Sequence, residues 1–253
     1  MKTILLKPKG ELPTGLECES IKPENFIGKN LEKISSIGVF LKGKKMPLHK
    51  FFTVKGKVAE KREEQRIVIK GDLSRVKRIG ELMLGGTIIV KGDVGHHLGE
   101  FMKGGMIVVE GSAKSRIGTA MEGGTIDIMG NARNYVGCAA LGETVGMVGG
   151  NILIHGNANF DIGRCIRGGE ITILGNVYSF VGSYADGGTI TIGSITQSRV
   201  GYKMKSGRLS VLDSNFKVPF YFRYLKDKSN FLVYQGDLSC EGRGLIYIKK
   251  SGF

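Results

Sequence analysis

Few residues of this 253-residue chain suit chemistry: there are four histidines and four cysteines, and 23 side chains are Asp or Glu. Two of the histidines sit in Gly92–Glu110, GDVGHHLGEFMKGGMIVVE. The GDVGHHLG portion has the look of a nucleotide loop, which cradles phosphate at the start of a helix. The chain runs on instead into MIVVE, a β-branched run rather than a helix former. On a strand, the adjacent His96 and His97 would point to opposite faces and could not chelate one ion together. His49 and His155 add no ligand spacing. Cys18, Cys138, Cys165 and Cys240 stand far apart without a CxxC pair, so they read as small buried thiols. There is no nucleophile elbow and no HExxH, and Asp127, Glu143, Asp161 and Asp186 read as solvated charges. The residues therefore assign no catalytic, cofactor-binding or metal-binding side chain.

The elements that would have to position any site are announced by glycine. Forty of the 253 residues are glycine, roughly twice ordinary usage, which demands either disorder or regularly recurring special backbone angles. A glycine preceded by Ile, Leu or Val recurs at Gly80, Gly99, Gly118, Gly137, Gly163, Gly182 and Gly201, with spacings of 19, 19, 19, 26, 19 and 19. A second mark keeps the same phase: Gly86, Gly105, Gly124, Gly150, Gly169 and Gly188 each close a Gly-Gly pair, and Gly207 closes a Ser-Gly version. An alternating segment comes after each of them: TIIV, MIVV, TIDI, NILI, EITI, TITI and RLSV. Period two with β-branched residues predicts strands. Most repeats then turn through Gly-Asp, Gly-Asn or Gly-Ser, whose short polar side chains suit local backbone hydrogen bonds.

Nineteen residues cannot hold a strand, a full helix and a return, yet every strand must bury its apolar edge. Coiling the chain once per repeat meets both demands, because successive strands then stack as parallel neighbours about 4.8 Å apart around a shared interior. The prediction is an all-β fold, a parallel β-helix of about seven coils. Ile79, Leu98, Ile117, Val136, Ile162, Val181 and Val200 form one interior ladder. Met83, Met102, Met121, Ala140, Ile166, Ala185 and Met204 form another. A leucine-rich horseshoe has repeats of similar length but needs leucine-dominated strands and an asparagine ladder.

An open coil end exposes strand edges, so caps are expected. Residues 1–66 are read as an N-terminal cap of strands and loops, 67–212 as the repeat domain and 213–253 as an aromatic-rich C-terminal cap or docking segment that includes Phe220 and Tyr221. The seven-residue excess of the fourth coil lies in Gly137–Gly150 and marks Glu143 as a candidate partner contact. The net charge is +14. Residues 1–70 supply 16 basic and 8 acidic side chains, which makes Lys42, Lys44 and Lys45 candidate contacts for an acidic partner. Nucleic acid fits poorly, because the repeats interleave few aromatics with basic residues. No run approaches the eighteen apolar residues of a membrane span, and the N-terminus lacks the apolar length of a signal peptide, so a cytoplasmic protein is expected.

At GDVGHHLGEFMKGGMIVVEG, GNARNYVGCAALGETVGMVGGNILIHGNA and GNVYSFVGSYADGGTITI the chain resembles the GXGXG domain at the C-terminal end of the glutamate synthase large subunit. It resembles the C subunit of formylmethanofuran dehydrogenase more closely, through the long fourth coil with its GMVGG return. The resemblance covers about residues 67–212 and implies a right-handed helix. It also implies a non-catalytic scaffold in a complex that reduces carbon dioxide and attaches it as formyl to methanofuran, the first step of methanogenesis. The cofactors it implies belong to partners: a tungsten- or molybdenum-pterin, iron–sulfur clusters and a binuclear metal centre, on pterin-carrying and amidohydrolase-like subunits. A contact between Lys42, Lys44 or Lys45 and the carboxylates of methanofuran is a further expectation. A stand-alone glutamate synthase-type subunit and a carbohydrate-active β-helix enzyme remain the alternatives.

Overall fold

The computed structural model describes residues 1–197 and 199–252. Strand succeeds strand along the chain, and the one α-helix among the described residues, Leu31–Ser35, is five residues long. Fourteen strands form one sheet, and its long central run is parallel. Lys2–Pro8, Gln65–Lys70, Thr87–Lys91, Met106–Val109, Thr125–Ile128, Asn151–Ile154, Glu170–Val181, Asp186–Ile195, Ser206–Val211 and Gly244–Lys249 are successive parallel neighbours. The fold is all-β, as predicted from the alternation.

Register keeps to the repeat. Ile88, Ile107, Ile126, Ile152, Ile171, Ile190 and Leu209 are directly paired from strand to strand. The ladder continues to Ile67 and Ile4 on one side and to Ile246 on the other. A second ladder two residues on runs from Leu6 through Val90 and Ile128 to Ile248, and both are essentially sealed from solvent. The predicted ladder from Ile79 to Val200 is likewise fully buried. A one-residue slip would turn each of these strands inside out, so burial holds the register.

Five of the seven repeats turn their corner through three left-handed residues, and only the middle one is glycine. In the third repeat they are Arg116 at φ 66°, Gly118 at 57° and Ala120 at 50°. Turning therefore does not by itself require glycine, since Arg and Ala adopt the same angles beside it. Packing does: a Cβ on Gly118 would stand 2.5 Å from Ile152 Cδ1, an interior side chain of a later strand. Arg116 is partly exposed, as is Ala120.

A polar ladder ties the repeats together where local turn bonds were expected. Asp93 Oδ1 accepts from the Ser112 amide at 2.8 Å, Ser112 Oγ from that of Asn131 at 3.0 Å, and Asn131 Oδ1 from that of Asn157 at 2.8 Å. Asn157 Oδ1 then accepts from the Asn176 amide at 2.8 Å. Each short side chain thus satisfies a backbone donor one repeat away rather than in its own turn.

Both ends of the sheet are antiparallel. Phe52–Gly56 pairs with Lys2–Pro8 at one end, and Phe231–Gly236 pairs with Gly244–Lys249 at the other. Arg223–Lys228 closes the second edge, fully exposed and carrying Lys226 and Lys228, charges that discourage further strand pairing. Phe222 is buried, and its ring packs where a Cβ on Gly201 would lie, the place an interior Ile or Leu takes over the preceding corner glycines.

Candidate functional site: a basic cleft beside the inserted loop

Because the left-handed residues that flank the corner glycines lie toward the surface, their side chains recur in columns from repeat to repeat. In the first repeats these columns carry an ionic network. Arg78 Nη1 donates to both oxygens of Glu81 at 2.7 and 2.8 Å and lies 3.8 Å from Glu100. His97 Nδ1 lies 2.8 Å from Glu100 Oε2, and Glu100 is buried. His97 sits at φ 62° just before a turn, not on a strand. His96 is pushed below the usual imidazole range by burial first and then by Lys114. His155 Nε2 meets Asp127 Oδ1 at 3.0 Å, and His49 Nδ1 meets the Ser35 carbonyl at 3.1 Å. Among the described residues no group of three or more His, Cys, Asp or Glu side chains has metal-binding geometry.

From the third repeat onward basic and aromatic side chains gather beside these columns, and there they share a cleft with the fourth-repeat insertion. The loop is pinned at both ends: the Ala139 amide donates to the Arg164 carbonyl at 3.2 Å and the Gly146 amide to the Cys165 carbonyl at 2.8 Å. Its position corrects the second interior ladder. Ala140 is only partly buried and lines the cleft, whereas Met147 is fully buried. The Met147 amide donates to the Gly137 carbonyl at 3.1 Å, as Met121 does to Gly118 and Met102 to Gly99. Met147 is therefore the fourth rung, and the excess residues are 140–146.

The cleft has a volume of about 650 Å³. Arg116, Arg164, Arg167, Lys203 and Lys205 line it, against the carboxylates of Asp186 and Glu143. Arg167 lies 3.5 Å from Asp186. Arg116 stacks over Tyr135 at 5.2 Å, Arg164 over Tyr184 at 5.7 Å, and Lys203 lies 5.8 Å from Tyr184 and 5.7 Å from Tyr202. Such cation–π contacts hold long side chains in place without neutralising them.

Three of the four cysteines converge on this cleft, which sequence separation concealed: Cys138, Cys165 and Cys240 all line it. Cys138 is buried, whereas Cys165 and Cys240 are partly exposed. The Cys138 thiol donates to the Asp161 carbonyl at 2.7 Å, and burial pushes its pKa up to about 12. Burial also raises Cys18 well above the thiol range. Because the thiolate is the nucleophile, Cys138 and Cys18 are inert at neutral pH. Treating the folded chain with iodoacetamide at pH 8 should leave both unmodified by peptide mass mapping, and all four cysteines should react in denaturant. Rapid labelling of Cys138 in the folded chain would contradict its burial.

The residues singled out from the sequence are scattered. Glu143 lines the cleft. Phe220 is 96% exposed, and Tyr221 is half-buried, its hydroxyl donating to the Val200 carbonyl at 3.1 Å. Lys44 and Lys45 are exposed on Lys44–Pro47, the edge strand of a four-stranded sheet, and do not line the cleft. The five cleft cations escaped the sequence reading, which weighed charge by segment. Aligning the repeats position by position and reading the outward columns would have found them.

No family model matches the chain. Among curated proteins, the C subunit of molybdenum-containing formylmethanofuran dehydrogenase 1 from Methanosarcina barkeri is 41% identical over 98 residues, 39% of this chain and 33% of the relative. The C subunit of tungsten-containing formylmethanofuran dehydrogenase 2 from Methanothermobacter wolfeii is 38% identical over 98 residues, covering 39% and 36%. The matched stretch thus spans about a third of the length of these relatives. A chain of the formyltransferase/hydrolase complex (FhcABCD) from Methylorubrum extorquens, crystallised with methylofuran, superimposes with a TM-score of 0.87 at 25% identity, over 97% of this chain and 99% of that one. Over the matched stretch the chain is similar to the C subunits of formylmethanofuran dehydrogenases.

Proposed function

We propose that this protein is a non-catalytic scaffold, the C subunit of a formylmethanofuran dehydrogenase-type complex, built as a right-handed parallel β-helix of about seven coils. Residues 1–66 and 213–253 cap the helix, and 67–212 form its repeats. The observation that carries this reading is the correspondence, over nearly the full length of both, with a chain of a complex crystallised with methylofuran. The glycines that mark the family-like repeat support it, because they serve packing between coils rather than a reacting atom.

In this reading the redox and hydrolytic chemistry sits on other subunits, which carry the tungsten- or molybdenum-pterin, iron–sulfur clusters and binuclear centre. Glu143, Phe220, Tyr221, Lys44 and Lys45 are their contacts, and the assembly works in the cytoplasm. No helix among the described residues is long and apolar enough to cross a membrane. A second reading rests on the same superposition: the partners form a formyltransferase/hydrolase rather than a dehydrogenase.

Affinity purification of the tagged chain from its native cell, with metal analysis of the eluate, tests both. Co-purifying subunits with tungsten or molybdenum and formylmethanofuran oxidation are expected. Co-purification of formyltransferase activity without either metal would select the second reading. A chain that purifies alone, or whose deletion leaves the other subunits assembled and fully active, would overturn the scaffold.

A further inference from the structure

We infer that the free edge of Phe52–Gly56, the last strand at the N-terminal end of the long sheet, is a strand-addition site for an extended partner segment in which acidic and apolar residues alternate. The inference stands on the edge itself and not on which complex the protein joins.

Backbone direction comes first. The register of Phe52–Gly56 on Lys2–Pro8 is regular, from Ile4 opposite Gly56 to Pro8 opposite Phe52. Just beyond it the Lys9 amide donates to the Phe51 carbonyl and the Lys57 amide to the Thr3 carbonyl, both at 2.9 Å. In an antiparallel pair, residues bonded to the partner strand alternate with residues that are not. Phe51, Thr53, Lys55 and Lys57 are therefore turned inward, and the backbone polar groups of Phe52, Val54 and Gly56 point away from the sheet. Phe52–Gly56 ends the strand order, so no further strand takes them. A row of such groups is a template for one more strand.

Two other edges are blocked. Lys44–Pro47, at the end of the four-stranded sheet, closes on Pro47, which has no amide proton to give. Arg223–Lys228 has an irregular register between Tyr224 and Lys226, and such a kink spoils a template. Phe52–Gly56 has neither device.

The side chains set the chemistry of the partner. Ile4 and Leu6 are buried, so Gly56 and Val54 opposite them lie on the interior side, while Lys55 and Lys57 share the outer face with Lys7 and Lys9. All four lysines are exposed, and among the described residues none of them forms an ion pair. Lysine on an edge repels a basic strand and attracts an acidic one. Alternate residues of a strand are about 7 Å apart, so carboxylates at every second position of the added strand keep step with Lys55 and Lys57. The residues between them lie on the side of the half-buried Val54, where apolar side chains fit. A polyanion without a peptide backbone could use the lysines but not the outward amides and carbonyls.

Calorimetric titration of the full chain at low salt with a synthetic peptide of alternating glutamate and valine tests the site. Saturable binding that weakens as salt rises is expected. Two further peptides, N-methylated at every valine or at every glutamate, keep the charge but lose the donors of one edge; one of the two should bind at least about tenfold more weakly than the parent. Lys55→Gln with Lys57→Gln should also weaken binding by at least about tenfold. Lys114→Gln with Arg133→Gln, the same loss of charge away from this edge, should leave it unchanged, and thermal melts should show both variants folded. Absence of saturable binding would overturn the proposal, as would two double variants that bind alike. Equal binding of all three peptides would leave only charge attraction, tighter binding of an oligothymidylate of similar charge would assign the edge to nucleic acid, and a dimer of the free chain that the peptide displaces would assign it to a second copy; each of these results also overturns the proposal.

Discussion

Replacing Gly99 with valine should abolish cooperative folding or lower stability by about 3–5 kcal/mol, a large part of the 5–15 kcal/mol that holds a typical domain together. Two costs combine. Gly99 sits at φ 62°, where a β-branched residue is strained by about 1–3 kcal/mol. A Cβ there would also stand 2.6 Å from Ile126 Cδ1 and 3.4 Å from Ile107 Cδ1. Both isoleucines belong to a fully buried ladder, and forcing extra carbons into a packed interior costs about 1–3 kcal/mol more. The control is Ala120→Gly, at φ 50° in the next repeat but partly exposed. It should move stability by no more than about 1 kcal/mol, because relief of strain offsets the added freedom of the unfolded chain. Urea or thermal melts of the full chain separate the cases. A Gly99→Val protein that melts with the parent would mean the corner does not pack on the isoleucine ladder.

The second large effect is expected at Met147. Truncation to alanine should cost about 2–4 kcal/mol, as for a large buried side chain that leaves a cavity. Met147 is fully buried, and its Cε packs where a Cβ on Gly169 would lie. The matching substitution Ala140→Met should change little, since Ala140 lies at the edge of the cleft. Equal destabilisation by the two, measured by the same melts, would mean that the inserted repeat resumes its interior at Ala140.

These two predictions mark how far the sequence could be read. The strands of TIIV, MIVV and TITI were legible because alternation is a local pattern whose buried face one chain segment states by itself. The corner glycines were legible as markers, but their cause was not. Arg116 and Ala120 adopt the same left-handed angles as Gly118, so what excludes a side chain at Gly118 is an isoleucine from a strand 34 residues on. The insertion was legible in length and not in position: seven extra residues fit between Gly137 and Gly150 in several ways, and burial chose Met147 over Ala140 as the rung.

The cleft was illegible for the same reason. Arg116, Arg164 and Lys203 are separated by dozens of residues, and nothing in their neighbours distinguishes them from solvated surface charges. His97 and Glu100, three residues apart, could be seen together in the sequence but not as a closed pair with Arg78 nearby.

The sequence by itself determined the repeat, the strands, the all-β class and the interior ladders apart from the Met147 rung, because each depends on periodic burial within one unit. Only the tertiary structure decided which glycines are forced by packing, that the Asp, Ser and Asn side chains bond to the next repeat, and that five cations and three cysteines share one cleft. Those features arise between repeats, where residues far apart in the chain come within reach of one another only once the strands have stacked.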